Sequence, residues 1–518
     1  MSRSFPLPSF LILLSAIFIF AACATQPAPQ AAVPPRSAPT AVAQQPNIAS
    51  ATEPTPVSLA LLKVEPVKGY IGSSFTINGE GLPPNQTIEF LWKTVDGNFS
   101  MQASAETIEF YERKFVEKRV ALGKAVVDAQ GRVSATFTAP EDFGEVHDIY
   151  GVINGKDIAR GGFRILRQVK ITPTEGALGT PITIQVKGLG AGIDDSTIAV
   201  RYDNQYMGFI SAVTTRGTVS AVIRAAGAPG KHVIEIGNAN KAVPYLNIQQ
   251  SPVAHIEQFR FDFAVTEDKG APQDTLDFPS AKVVQVVDTA APKTASGKNT
   301  SARNVNATLE PTTGPILTKT KLRAANLPVN ATVDLVWVSA RGNRLSPSGW
   351  NLIETPLQQA TTDANGSLQA DLQVPDDLGG WHTVRVIQGD TVLAEIPYYV
   401  ERSLVEVTPK RVKVGESFTI HVKGIGWTEL DNTVAVTYDN AYIGYACGFN
   451  SVGDITLNMV ATGEPGTHLI ELWPTIYQGK GKPPWNYQLP HLSALEDGPG
   501  LTLGYKLPIY RLAIEVVE

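Results

Sequence analysis

The pattern Tyr-Asp-Asn-x-Tyr-x-Gly occurs twice in this chain, at 202–208 and at 438–444. An acid beside an amide could form an oxygen-rich cation loop, a polar binding site or a tight turn. Four of the seven histidines, His147, His232, His382 and His468, each sit just after a glycine, a recurrence that suggests metal ligation. Cys447 lies at the end of the second Tyr-Asp-Asn motif, where the first has Ser211. A thiolate nucleophile needs a nearby base or cation, and the neighbouring sequence offers none. Cys447 therefore reads as a small, partly buried residue. The chain contains no Gly-x-Ser-x-Gly, His-Glu-x-x-His, Cys-x-x-Cys or Walker-type phosphate loop.

The strands that would carry these residues narrow the choice. His232 shares alternation parity with Ile234 and Ile236, and His468 with Ile470 and Leu472. His382 falls in step with Val384 and Val386, and His147 with Ile149. Each histidine leads the apolar face of a late strand, and one ring per module supplies too few ligands for a metal. The expected role is to close one end of a core. A two-residue turn at Asp203-Asn204 would pair Val200 with Met207 and Ile198 with Phe209. The second copy would pair Val436 with Ile443 and Val434 with Tyr445. Asp and Asn tolerate the positive φ of such a turn, so Asp439 and Asn440 read as a turn rather than calcium ligands. This register puts Tyr206 and Tyr442 on the outward face beside Gly208 and Gly444. They are expected to be interdomain docking rings, with the neighbouring A module or a connecting segment as partner and a foreign ligand as second choice.

The motifs belong to longer repeats. Residues 169–236 align without a gap to 405–472, with 27 of 68 positions identical. Before each copy comes a second repeated unit: "LPPNQTIEFLW" (82–92) matches "LPVNATVDLVW" (327–337), and "DAQGRVSATFTAPEDFGEVH" (128–147) matches "DANGSLQADLQVPDDLGGWH" (363–382). About ten extra residues separate these blocks in the first copy. They fall around "SAETIEFYERKFVEKRVAL" (104–122), which lacks a clean helical stripe and is expected to form an extended hairpin. Segments such as "SFTIHVKG" alternate with period two between Gly, Pro, Asn and Asp turns. The expected fold is all-β: four tandem immunoglobulin-like antiparallel sandwiches arranged A-B-linker-A-B. The boundaries are 58–167 (A1), 168–267 (B1), a flexible linker at 268–306, 307–401 (A2) and 402–518 (B2).

"ITPTEGALGTPITIQVKGLG" (171–190) resembles the opening of an IPT/TIG-type immunoglobulin-like domain through Pro173, Gly176, Gly179, Thr183, Ile184, Gly188 and Gly190. The second copy keeps Pro409, Gly415, Gly424 and Gly426 but has Val412 in place of the first glycine. Module A is similar to other Ig-like repeats of bacterial surface proteins. The resemblance implies binding, adhesion or spacer roles without shared catalytic residues.

The front of the chain implies a location. Arg3 precedes the apolar "SFLILLSAIFIF", and "FAAC" (20–23) resembles the lipobox of bacterial lipoproteins. The resemblance implies removal of signal peptide 1–22 and lipidation of Cys23 (palmitate among the acyl groups). That would leave the protein extracytoplasmic and held at the membrane. Residues 24–57 hold eight prolines, nine alanines and two charges, a disordered tether that cannot bury a core. The net charge of −6 has no basic block, so nucleic acid is not an expected partner. With Cys23 lipidated, Cys447 has no partner for an intramolecular disulfide.

B2 carries a long insertion rich in aromatics, of which Trp473, Tyr477, Trp485 and Tyr487 are the candidate partner or glycan contacts. The sequence therefore favours a non-enzymatic binding, adhesion or scaffold protein of the cell envelope with no cofactor, its partner an envelope protein or polysaccharide. Two alternatives remain: polysaccharide binding through the aromatic loop, and an enzyme with an unrecognised interdomain site.

Overall fold

The computed structural model describes residues 59–103, 108–192, 195–237, 239–250, 257–267, 269–279, 299–301, 304–342, 350–476, 488–504 and 506–518. Residues 58–518 make one compact unit. The fold is all-β and immunoglobulin-like. In B1 a five-stranded sheet runs Glu175–Gly176, Phe259–Val265, Gly230–Gly237, Thr197–Tyr202, Gln205–Ser211, and faces a three-stranded sheet of Val219–Arg224, Pro181–Lys187 and Gln168–Thr172. B2 repeats this plan with strands Ile509–Val517, Gly466–Pro474, Thr433–Tyr438 and Ala441–Cys447 opposite Ser403–Thr408, Ser417–Lys423 and Ile455–Val460. A2 likewise pairs a six-stranded with a three-stranded sheet, and in A1 strand Ala60–Glu65 joins the two layers into one eight-stranded sheet.

Alternation places the cores. In Ser417–Lys423, Phe418, Ile420 and Val422 are 1%, 0% and 0% exposed. Each such side chain contributes about 1.5–3 kcal/mol by leaving water. Trp92 and Trp337 hold the centres of A1 and A2, each donating its indole N–H to a buried aspartate: Asp142 at 2.9 Å and Asp377 at 3.0 Å.

The extra residues of A1 form the expected hairpin, in which Thr87–Ala103 pairs with Ile108–Val126. Its far end leaves A1's own core. Phe99 and Phe110 join Val213 of B1, Tyr399 of A2 and Leu430 and Ile476 of B2 in one apolar cluster, and the Phe110 N–H donates to Glu429 at 2.8 Å.

Three readings need correction. Asp203 and Asn204 (φ 48° and 67°) and Asp439 and Asn440 (φ 46° and 65°) do form the turns. Beyond them, however, a bulge makes Met207 and Ile443 extra residues, so Val200 pairs with Gly208 and Val436 with Gly444. A bulge adds one residue to one strand and reverses parity past it. Second, the region read as a flexible linker begins with structure. Thr275–Asp277 adds a strand to the B2 sheet along Ile509–Arg511, and the Asp274 carboxylate accepts from the Ala513 N–H at 3.1 Å. Asn299–Thr300 likewise pairs with Thr391–Val392. Third, Cys447 is exposed, whereas its counterpart Ser211 is fully buried.

Candidate functional site

Each module histidine follows a tight loop that returns its ring to a carbonyl four residues back. His147 lies 2.8 Å from the Phe143 carbonyl, His232 2.8 Å from Ala228, His382 2.7 Å from Leu378 and His468 2.8 Å from Glu464. In the A modules the ring also stacks on the core tryptophan, with centroids 4.4 Å apart for His147–Trp92 and 4.5 Å for His382–Trp337. In the B modules the other nitrogen meets the turn aspartate, His232 on Asp203 at 2.6 Å and His468 on Asp439 at 2.5 Å. Among the described residues no group of His, Cys, Asp and Glu has the arrangement of a metal site.

The Asp439 turn is therefore locked to its neighbour strand: one carboxylate oxygen takes the Leu469 N–H at 2.8 Å, the other the His468 ring. Burial alone would lower the His468 pKa, but Asp439 and the Glu464 carbonyl reverse it, leaving it above its ordinary value. A raised folded pKa stabilises fully below the unfolded value of about 6.5 and is lost as pH climbs through the folded one. Thermal unfolding across pH 5–9 should thus show a decline above about pH 6.5. Asp439→Asn should flatten that decline and cost about 1.5–3 kcal/mol at pH 5.5.

The two motif tyrosines meet each other. Tyr206 and Tyr442 lie edge to face with centroids 6.3 Å apart. Their hydroxyls donate to the Ala242 carbonyl at 2.9 Å and the Gln488 carbonyl at 3.0 Å. The principal ring partner is thus the other B module, not an adjoining A module. The flanking glycines differ. A Cβ on Gly208 would lie 2.5 Å from the Pro490 carbonyl oxygen, whereas one on Gly444 would meet nothing within 4 Å.

Pro490 belongs to the described part of the B2 insertion, which lies along the B1 edge strand. The Phe209 N–H donates to the Pro490 carbonyl at 3.0 Å, and the Leu492 N–H to the Phe209 carbonyl at 2.9 Å. Beneath this pairing, Asp497 accepts from Ser211 Oγ (2.5 Å), Val213 N–H (2.8 Å), Thr214 N–H (2.7 Å) and Thr214 Oγ1 (2.7 Å). His491 Nε2 sits 2.9 Å from Ser211 Oγ, and its ring stacks on Phe209 at 4.6 Å.

Serine, histidine and aspartate together suggest acyl chemistry, but the wiring does not perform it. A hydrolytic triad runs Asp to His to Ser, so that the imidazole accepts the serine proton. Here the Ser211 hydroxyl donates its hydrogen bond to Asp497, which leaves its oxygen to accept from His491 Nε2. Burial, with Arg113 assisting, pushes the His491 pKa down to about 3, and the adjoining cavity of about 20 Å³ is about one water in size. The cluster fastens the insertion to B1.

A second fastening lies on the B2 sheet. Glu471 is 1% exposed and pairs with Arg224 of B1 at 2.8 Å and with Arg511 at 2.7 Å. Arg224 and Arg511 also donate across the junction, to the Leu512 carbonyl at 2.8 Å and the Val222 carbonyl at 2.7 Å. Arg511 meets Asp277 of the interdomain segment at 2.5 Å and lies 5.2 Å over the Trp473 ring. Trp473 is 0% exposed and donates to Thr437 Oγ1 at 3.2 Å, so it offers no face to a ligand. It belongs to a strand covered on both sides. Tyr477, Trp485 and Tyr487 lie outside the described residues.

Sequence reasoning did not foresee Glu471, Arg224, Arg511, Ser211, His491 or Asp497. A signal existed for the first: "HLIELWP" is almost continuously apolar, the mark of a strand buried on both faces.

No family model matches the chain, and no curated relative does. Similar solved structures include the ICAM-5 D1–D4 fragment, with 12% identity, TM-score 0.19 and coverage of 89% of this chain and 100% of that one. Invasin, a bacterial integrin-binding protein, shows 11%, 0.17, and 88% and 79%. Salmonella alpha-2-macroglobulin shows 10%, 0.17 and 88%, and this chain spans 31% of its length. At these scores the likenesses carry no functional argument.

Proposed function

We propose that the chain is a non-enzymatic, lipid-anchored protein of the bacterial envelope whose β-sandwich body serves as a binding, adhesion or scaffold module. One observation supports this most directly: the Ser211–His491–Asp497 group, which has the composition of catalysis, is sealed and wired as a fastening. The same side chains fasten B1 to B2 within a body that forms one compact unit over residues 58–518, which suits presenting fixed surfaces rather than hinging over a substrate. The lipobox-like Cys23 and the Pro/Ala-rich stretch after it support a body held outside the cytoplasm at a membrane. Its partner would be an envelope protein or a polysaccharide.

The anchor is tested by metabolic labelling with palmitate and by fractionation. The wild-type protein should take up label and sediment with membranes, and Cys23→Ser should do neither. A Cys23→Ser protein that stays labelled in the membrane pellet would overturn the assignment. Affinity capture from native envelopes, with and without residues 402–518, then asks which face binds.

A further inference from the structure

We propose that the A1–B1 junction carries a binding site for a multiply charged oxyanion of the phosphate type, built by Arg167, Lys170 and Lys187. The junction holds a cavity of about 460 Å³ whose walls include Tyr70, Arg167, Lys170, Gln185, Lys187 and Phe259, with no carboxylate among the lining residues. Strands Gln168–Thr172 and Pro181–Lys187 pair Gln168 with Lys187 and Lys170 with Gln185, so the two lysines sit diagonally on one face. Diagonal neighbours are about 7–8 Å apart, close enough for one tetrahedral anion to meet both extended ammonium groups.

Arg167 is the independent observation. It is 3% exposed, and one of its three nitrogens donates to the Asp195 carbonyl at 3.3 Å, while Nε and Nη1 have no partner. A buried guanidinium with open donors costs free energy until an acceptor arrives. The acids nearby do not supply it directly. Glu145 and Glu257 lie against Arg164, at 3.3 and 3.7 Å, and Asp195 bonds through its main chain. Lys170 and Lys187 have no ion pair among the described residues.

The repeat provides a control within the same chain. Arg402 occupies the corresponding place in A2–B2 and also leaves Nε and Nη1 without partners. There, however, Glu406 and His421 replace Lys170 and Gln185. Lys423, the counterpart of Lys187, is already bound to Asp376 at 2.5 Å and Asp454 at 3.4 Å. Among the described residues, the Lys170–Lys187 pair has no counterpart in the second half.

The test is calorimetric titration of the full-length protein in neutral detergent at constant ionic strength. One arm uses inorganic phosphate, the other phosphatidylglycerol mixed micelles with phosphatidylcholine as control. Saturable binding is expected in at least one arm, phosphate alone indicating a free anion and phosphatidylglycerol alone a lipid headgroup. Lys170→Gln with Lys187→Gln should weaken it at least about tenfold, without lowering the unfolding temperature measured in the absence of anion. Lys423→Gln should leave binding unchanged. Absence of saturable binding in both arms would overturn the proposal. So would wild-type affinity in the double variant, or an equal loss on Lys423→Gln.

Discussion

Glu471→Ala is expected to destabilise the folded body by about 3–5 kcal/mol, the usual cost of removing one partner from a buried ion cluster. Glu471, Arg224 and Arg511 are 1%, 4% and 4% exposed, so water cannot replace the lost carboxylate. Asp277 would remain as the partner of Arg511, but Arg224 would have only carbonyls. The loss should therefore appear mainly at the B1–B2 junction. Urea unfolding should show a lower midpoint, and limited proteolysis should open the segment between the halves before either half is cut. Arg224→Met combined with Glu471→Met should recover much of the loss, because well-packed apolar residues replace buried ion pairs at little cost. A wild-type midpoint for Glu471→Ala would show that the two B modules do not dock in solution.

Gly379→Ala should be nearly as damaging, for a steric reason. A Cβ there would lie 1.7 Å from the Gly424 carbonyl oxygen, a main-chain atom that no rotamer change can move. The Gly379 N–H also donates to the Ile425 carbonyl at 3.0 Å, so separating the chains breaks the A2–B2 seam. The A1 counterpart behaves alike, with a Cβ on Gly144 falling 1.9 Å from the Gly188 oxygen. Overpacking of this kind costs about 1–3 kcal/mol or more. Differential scanning calorimetry should show a lowered transition for each variant. Gly389→Ala, a loop glycine with positive φ (56°) and nothing near its Cβ, isolates the backbone component.

The sandwich fold was legible because strand alternation and turn chemistry are local. Phe418, Ile420 and Val422 announce a half-buried strand wherever they occur, and Asp203-Asn204 a tight turn. The bulges at Met207 and Ile443 were not legible, since an extra residue leaves no compositional trace in a strand of this length. The tyrosines stood out in the sequence because ring and glycine repeat together. Their partner did not, because the contact joins residues more than two hundred positions apart.

The sequence by itself determined the repeat, the β architecture, the turn at each Tyr-Asp-Asn and the histidines that close each module, all of which follow from neighbours within a few residues. Only the tertiary structure decided what Trp473, Ser211 and Asp497 do. A side chain on the outward face of a strand is exposed or buried according to what another module lays over it. Here B1 covers one face of B2, and the B2 insertion covers the edge of B1. The aromatic that read as a ligand contact is part of an interior seam, and the serine, histidine and aspartate that could have meant catalysis hold that seam closed.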